Sequence, residues 1–527
     1  MKVRRVKHLL ILFFFFSFST SVYALPAFPG AVGFGADTVG GRSGQIIKVD
    51  SLKTRDENGT TLLEALEDFS GPRIIVFEIS GYIRLTEPII IKNPYVTILG
   101  QTAPGDGIAV RGNSIIIATH DVIIRHLRVR VGDEGGLTSS RDGINISTSY
   151  ASSDVYNVIV DHCSVSWGID ENVSTWISSD KNYKTHDVTV QNCIISEALN
   201  DSMHVDEGGH VTAPHSMGML LGSRGAYNLS VHHNIVAHNR GRNIRFDGTL
   251  NTEFVNNVIY NWGDIPTEIS SAKSTIHLIG NYYKNTDYSS QRDVKFQGSP
   301  ASGSKFFISG NYIDPIKNRS LDNTKTRNPS DDQNAIILQQ NNGDITDWYT
   351  SNPPYFKASS KIFTPRVSET NVHTAYQQVL NSTGVYPRDK VDARVVNDIK
   401  NRTGRVIDSQ NDVGGWPAYT GSHPTRYDQD NDGIPDSWEQ VHGGNLNPSS
   451  SAPSGYSWIE EYANNILSST ITITIPGDAN GDNLTNGADY IVWLNHYNQN
   501  TQSGSSNGDF DNSGKVDNED YIRVLPS

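Results

Sequence analysis

Seven short segments of this chain repeat one design, and that repetition limits what the chain can fold into. They read VIIRHLRVR (122–130), VIVDHCSVS (158–166), VTVQNCIIS (188–196), LSVHHNIVA (229–237), TEFVNNVIY (252–260), IHLIGNYYK (276–284) and FFISGNYID (306–314). Each opens on alternating apolar residues, as a half-buried strand does, passes through a polar pair and returns to apolar residues. VTILGQ (96–101) fits more loosely. Aligned on the second member of the pair, the segments give Leu127, Cys163, Cys193, Asn234, Asn257, Asn281 and Asn311, with steps of 36, 30, 41, 23, 24 and 30 residues.

The shortest step is about one coil of a parallel β-helix, and the longer steps carry loops. Equivalent residues of successive coils then stack at the strand spacing of about 4.8 Å. Stacked asparagine amides can hydrogen-bond to one another and to turn backbone, so asparagine at the bend follows from the architecture without any chemistry. A β-sandwich is the rival, but it would not readily put one polar pair at one bend each time. The chain is therefore expected to be all-β, a parallel β-helix. Its 46 glycines and only 4 methionines agree with strands joined by many turns. Cys163 and Cys193 occupy neighbouring rungs, as stacked thiols or as a bridge.

The first residues, MKVRRVKHLLILFFFFSFSTSVYA, combine a basic start, an apolar run and a Val-Tyr-Ala end. They predict a secretory signal peptide over 1–24, cleaved after Ala24. The mature chain is expected to be secreted, without a membrane span, and a monomer. A formal charge of −14 argues against nucleic acid as a partner. Against that acidity, HNRGRNIRF (238–246) places Arg240, Arg242 and Arg245 within six positions, a grouping suited to an anionic chain. After residue 315 the sequence turns polar, and 370–408 reads as partly helical, packed against the solenoid.

DQDNDGIPDSWE (428–439) fits a twelve-residue calcium loop residue for residue. Asp428, Asp430 and Asp432 stand at positions 1, 3 and 5, Gly433 at 6, Asp436 at 9 and Glu439 at 12. A helix follows, so 426–468 is a candidate calcium unit with a structural role. After a linker (469–476) come two shorter loops in 477–527. One offers Asp478, Asn480, Asp482 and Asp489; the other offers Asp509, Asp511, Ser513 and Asp520. Their starts lie 31 residues apart and each ends in Asp-Tyr. The pair resembles a dockerin type I module, which implies docking on a cohesin-type scaffold, or a calcium-stiffened tail.

The long motifs AFPGAVGFGADTVGGRSG (27–44), VTILGQTAPGDGI (96–108), DHCSVSWGIDEN (161–172) and VDARVVNDIKNRTGRVIDSQNDVGGWP (391–417) follow in order. Over about 25–420 the chain resembles the pectate lyases of polysaccharide lyase family 1. The resemblance implies a right-handed parallel β-helix that cleaves polygalacturonate by β-elimination with Ca²⁺. It makes Arg242 the base, in Arg242-Asn243-Ile244-Arg245, and Arg245 the group that holds the substrate carboxylate. Arg240 competes, because Arg240 to Arg245 keeps the family spacing. Ile244 stands where the family has proline.

Asp142 in SRDGIN corresponds to the family's first calcium aspartate, and Asp170 and Glu171 in WGIDEN to the later acidic position. Ser174 and Thr175 replace a second carboxylate four residues on. No lysine stands near His215 and Ser216, so His215 is expected to contact substrate. His204, Asp206, Glu207, His210 and His215 match no zinc spacing and read as a loop beside the groove. Trp167, Trp176 and Trp262 are candidates for stacking on sugar or for packing. Two other functions stay open at this level: a β-helix glycoside hydrolase of pectin and a non-catalytic carbohydrate-binding β-helix.

Overall fold

A computed structural model describes residues 25–134, 141–180, 182–202, 204–205, 210–212, 214–222, 225–264, 266–270, 272–286, 296–297, 301–314, 358–423, 427–468, 487–500, 508–509, 514–518 and 520. The expected signal peptide and the linker 469–476 lie outside them. So do Asp206, Glu207, Asp478, Asn480, Asp482, Asp511, Ser513 and the side chain of Asp489.

Among the described residues, three parallel sheets of ten, eight and nine strands wind into a right-handed parallel β-helix. One coil shows the order. Val155–Asp161 lies in the ten-stranded sheet, Ser164–Ser166 in the nine-stranded sheet and Glu171–Trp176 in the eight-stranded sheet. The chain then returns to the ten-stranded sheet at Thr185–Gln191, paired in parallel with Val155–Asp161. Every repeat read from the sequence is such a strand, bend and second strand. VTILGQ is the exception, because Val96–Leu99 runs into a 3-10 turn, Gly100–Thr102.

The alternation of apolar residues becomes vertical stacks inside the solenoid. Ile124, Val160, Val190, Val231, Phe254, Leu278 and Ile308 are register partners on consecutive strands, all in the core. Each fully buried side chain of this kind contributes roughly 1.5–3 kcal/mol.

The polar pair has a conformational cause at its first member. His126, His162, Asn192, His233, Asn256, Gly280 and Gly310 all sit at φ between 49° and 64°, the left-handed region where glycine and asparagine are least penalised. The second member forms the expected ladder. Asn234 Oδ1 accepts from Cys193 N (2.8 Å), Asn257 Oδ1 from the Nδ2 of Asn234 (2.9 Å), and Asn281 Oδ1 from the Nδ2 of Asn257 (3.0 Å). Each amide also donates to a main-chain carbonyl, at Val190, Val231 and Phe254 respectively for Asn234, Asn257 and Asn281. Cys163 and Cys193 are buried free thiols on the same ladder.

The outer faces of two sheets are covered. Helices Val372–Ser382 and Lys390–Asn401 lay Val379, Leu380, Val395 and Ile399 on Ile194, Ile235 and Val258 of the nine-stranded sheet. Their seat is fixed by charge, since buried Arg130 reaches the cap residue Asp389 at 2.8 Å and Asp392 at 3.0 Å. On the ten-stranded sheet, Phe28 packs on Ile123 and Ile159. Ile434, Ile459 and Ala463 of the acidic-loop unit pack on Ile74, Val76 and Leu99. No helix covers the outer face of the eight-stranded sheet among the described residues, and this face holds the groove described next.

Candidate active site

A groove of about 620 Å³ runs over the outer face of the eight-stranded sheet. Side chains at alternate strand positions line it: Asn145 and Ser147 from Ile144–Ser147, Ser174 and Trp176 from Glu171–Trp176, Arg245 and Asp247 from Arg245–Asp247. This is the strand period of two, with the intervening residues Ile146, Thr175 and Phe246 buried.

Acidic groups from two coils meet at one edge of the groove. Ligand oxygens of Asp142, Asp170 and Glu171 lie within 4.8 Å of one another. Asp142 Oδ1 accepts from Glu171 N at 3.2 Å, and its Oδ2 accepts from the hydroxyl of Ser174. Ser174, which replaces a carboxylate of the family pattern, thus orients Asp142. Burial, with the charge of Asp170, pushes the Asp142 carboxyl up to about 7. The same causes hold Glu171 well above the ordinary carboxylate range. For Asp170 burial is outweighed by hydrogen bonds from His204 and His215, and its carboxyl lies below that range. Three carboxylates with one close guanidinium form an all-oxygen donor set that fits a hard divalent cation such as Ca²⁺.

The three arginines part company in the bend 238–246. Arg242, at φ 48°, directs its guanidinium to Glu171 Oε1, with Asp170 Oδ1 3.9 Å away. Burial alone would lower its pKa, but these carboxylates raise it above the ordinary value. Glu268 Oε1 accepts from Arg242 N at 3.0 Å and holds the bend. Arg245 faces the groove, 3.6 Å from Glu268 Oε2, with its Nε unbonded. Arg240 instead pairs with Asp264 at 2.6 Å and does not line the groove. Ile244 is fully buried in the core, and its N–H donates to Pro266 O at 3.0 Å, a bond proline could not make.

His215 lines the groove beside His204. Trp167 does not reach it. The residue is 0 % exposed, follows Ser164–Ser166 at φ 61°, and gives its indole N–H to Glu197 Oε2 at 3.1 Å. Its expected stacking on sugar is thus corrected to a packing role, which Trp262, 1 % exposed, shares. Trp176, at 37 %, is the tryptophan open to the groove.

Sequence reasoning passed over Asn145, Ser147 and Asp247, which the strand period would have paired with Ser174 once the strands were aligned. It also passed over Glu268, for which the local sequence carries no signal. At the C-terminus, Asp428, Asp430 and Asp436 form one close acidic trio and Asp430, Asp432 and Glu439 another. Lys48 Nζ stands 3.2 Å from Asp428 Oδ2 and ties that loop to the first strand, Gln45–Val49. Asp509 and Asp520 are buried.

No family model matches the chain. Among curated proteins, probable pectate lyase C of Neosartorya fischeri is 33% identical over 471 residues, covering 86% of this chain and 97% of the relative. Probable pectate lyase C of Aspergillus flavus is 34% identical over 459 residues, covering 85% and 95%. Among solved structures, jun a 1, the major allergen from cedar pollen, aligns at a TM-score of 0.47 with 16% identity, over 67% of this chain and 92% of that one. One residue in three is shared along nearly the full length of the curated relatives, and on that ground the chain belongs to the pectate lyase family and is a polysaccharide lyase.

Proposed function

We propose that the protein is a secreted, calcium-dependent pectate lyase that cleaves α-1,4-polygalacturonate by β-elimination to 4,5-unsaturated oligogalacturonides. The observation that carries this reading is the meeting of Asp142, Asp170 and Glu171 with Arg242 and Arg245 along one groove.

Asp142, Asp170 and Glu171 would hold Ca²⁺. When bound, the ion neutralises the uronate carboxylate and so acidifies the proton on C5. Arg245 binds the substrate carboxylate, for which its loosely paired guanidinium suits a two-point contact. Arg242 is the base. A guanidinium ordinarily loses its proton only above about pH 12, and the carboxylate of Glu171 strengthens its hold. Arg242 can accept the C5 proton only when Glu171 is engaged elsewhere, and an alkaline optimum follows. Elimination then breaks the C4–O bond as the C4–C5 double bond forms. His215 and Trp176 contact the sugar chain.

The loop with Asp428, Asp430, Asp432, Asp436 and Glu439 binds Ca²⁺ as a structural clamp on the first coils. The segment 477–527 is a dockerin-like module for a cohesin-type scaffold. The helix Gly487–His496, whose Trp493 packs on Val516, is compatible with it.

The test is incubation with polygalacturonate at alkaline pH, following ultraviolet absorbance of the unsaturated product with and without chelator. A chelator-sensitive rise is expected. Reducing ends without absorbance, or no reaction, would overturn the reading.

A further inference from the structure

Asp170 serves two clusters. Its carboxylate belongs to the oxygen trio, and it also receives two imidazoles from a different part of the chain. His215 Nε2 lies 2.7 Å from Oδ1, and His204 Nε2 lies 3.4 Å from Oδ2. The ligand atoms of Asp170, His204 and His215 all fall within 4.8 Å of one another. We propose that these three residues bind a divalent transition metal of the zinc class.

The donor set distinguishes this trio from its neighbour. Ca²⁺ takes oxygen ligands, whereas two imidazoles with one carboxylate select Zn²⁺, Co²⁺ or Ni²⁺. A tetrahedral ion with bonds of about 2.1 Å keeps its ligands about 3.4 Å apart. His204 and Asp170 already stand at that separation, and His215 has to withdraw by under about 1 Å. The rings are parallel within 6°, with centroids 3.8 Å apart, so each must also tilt about its own side-chain torsion.

The first imidazole is oriented from behind, as ligating histidines are. His204 Nδ1 meets Thr212 Oγ1 at 2.5 Å, and His204 O accepts from Thr212 N at 2.9 Å. His215 is anchored through its own N–H to Asn200 O at 2.7 Å. Arg242, 3.9 Å from Asp170, opposes added positive charge, so the site is weaker than a closed structural zinc site.

Sharing Asp170 has a functional consequence, which rests on the calcium reading above. A carboxylate drawn toward the imidazoles is withdrawn from the oxygen trio. Zinc-class ions therefore compete with Ca²⁺ and inhibit the lyase.

The test titrates Co²⁺ into the full chain and reads the visible absorption of nitrogen-ligated, four-coordinate cobalt, a band that the all-oxygen acidic loops do not give. Zn²⁺ should displace it. His204→Gln and His215→Gln should each weaken Co²⁺ binding at least tenfold and remove the band, with melting temperature confirming the fold. No band in the native chain, or a band that survives both substitutions, overturns the site. Calorimetry of Ca²⁺ binding with and without Zn²⁺ then tests competition. An apparent affinity at least tenfold lower is expected, and an unchanged one overturns the inhibition while leaving the lyase reading intact.

Discussion

Arg242 gives its guanidinium N–H to Oε1 of Glu171, a carboxylate 3 % exposed and drawn from a coil earlier in the solenoid. The pair joins the arginine bend to the acidic edge of the groove. Replacing Arg242 by lysine keeps the charge but loses the planar fork. We expect kcat on polygalacturonate to fall by on the order of 10³-fold. Arg240→Lys, which alters the pair with Asp264 and the bond to Pro214 O outside the groove, should leave kcat within about threefold. Initial rates of unsaturated product report both.

Asp142 is held by the N–H of Glu171 and the hydroxyl of Ser174, with no cationic partner within ion-pair distance among the described residues. Asp142→Asn should weaken Ca²⁺ binding at the groove by at least about tenfold, because a neutral amide is a poorer ligand for a hard cation. Ser174→Ala should weaken it less, through loss of orientation alone. Calorimetry separates the two variants, and chelation should abolish turnover in both.

The asparagine ladder should be costly to interrupt. Asn257 Oδ1 accepts from both N and Nδ2 of Asn234, and its own Nδ2 donates to Val231 O and Asn281 Oδ1. Asn257→Ala strands several buried polar groups, at about 1–3 kcal/mol each where no relaxation occurs. A loss of about 3 kcal/mol in unfolding free energy is expected by denaturant titration.

Acid should loosen the fold at the turn that carries His232 and His233. Burial, aided by its histidine neighbour, holds His232 down to about 3, and burial holds His233 to about 4, against an ordinary value of 6.5. Between those values the unfolded chain binds protons that the native chain refuses. The contribution is full above pH 6.5 and is lost as pH falls through this window. From pH 7 to 5 it amounts to about 2 kcal/mol for one such ring. The melting temperature should drop over that range, and less steeply in His232→Asn.

Trp176 and Trp167 should separate binding from stability. Trp176→Ala removes an exposed ring from the groove and should raise KM several-fold at nearly constant kcat. Trp167→Ala empties a core position beside Trp416 and should cost about 3–5 kcal/mol of stability.

The architecture is legible in the sequence itself. The period-two strands and the repeated pair at 126–127 through 310–311 are local demands: one residue in left-handed backbone, the next, Leu127 apart, an amide or thiol that can stack. A solenoid satisfies those demands coil by coil, so they recur in the sequence and can be counted. The site yields less to such reading. Asp142, Asp170, Arg242 and Glu268 meet at the acidic edge of the groove and its arginine bend, but they lie on different coils, and their distances depend on how loops of unequal length return to the sheets. Trp167 and Trp176 look alike as letters. The inward turn of one and the outward pleat of the other were decided by the tertiary structure. It also decided that His204 and His215 meet on Asp170, because only closure of the coil brings residues so far apart in the chain within reach of one carboxylate.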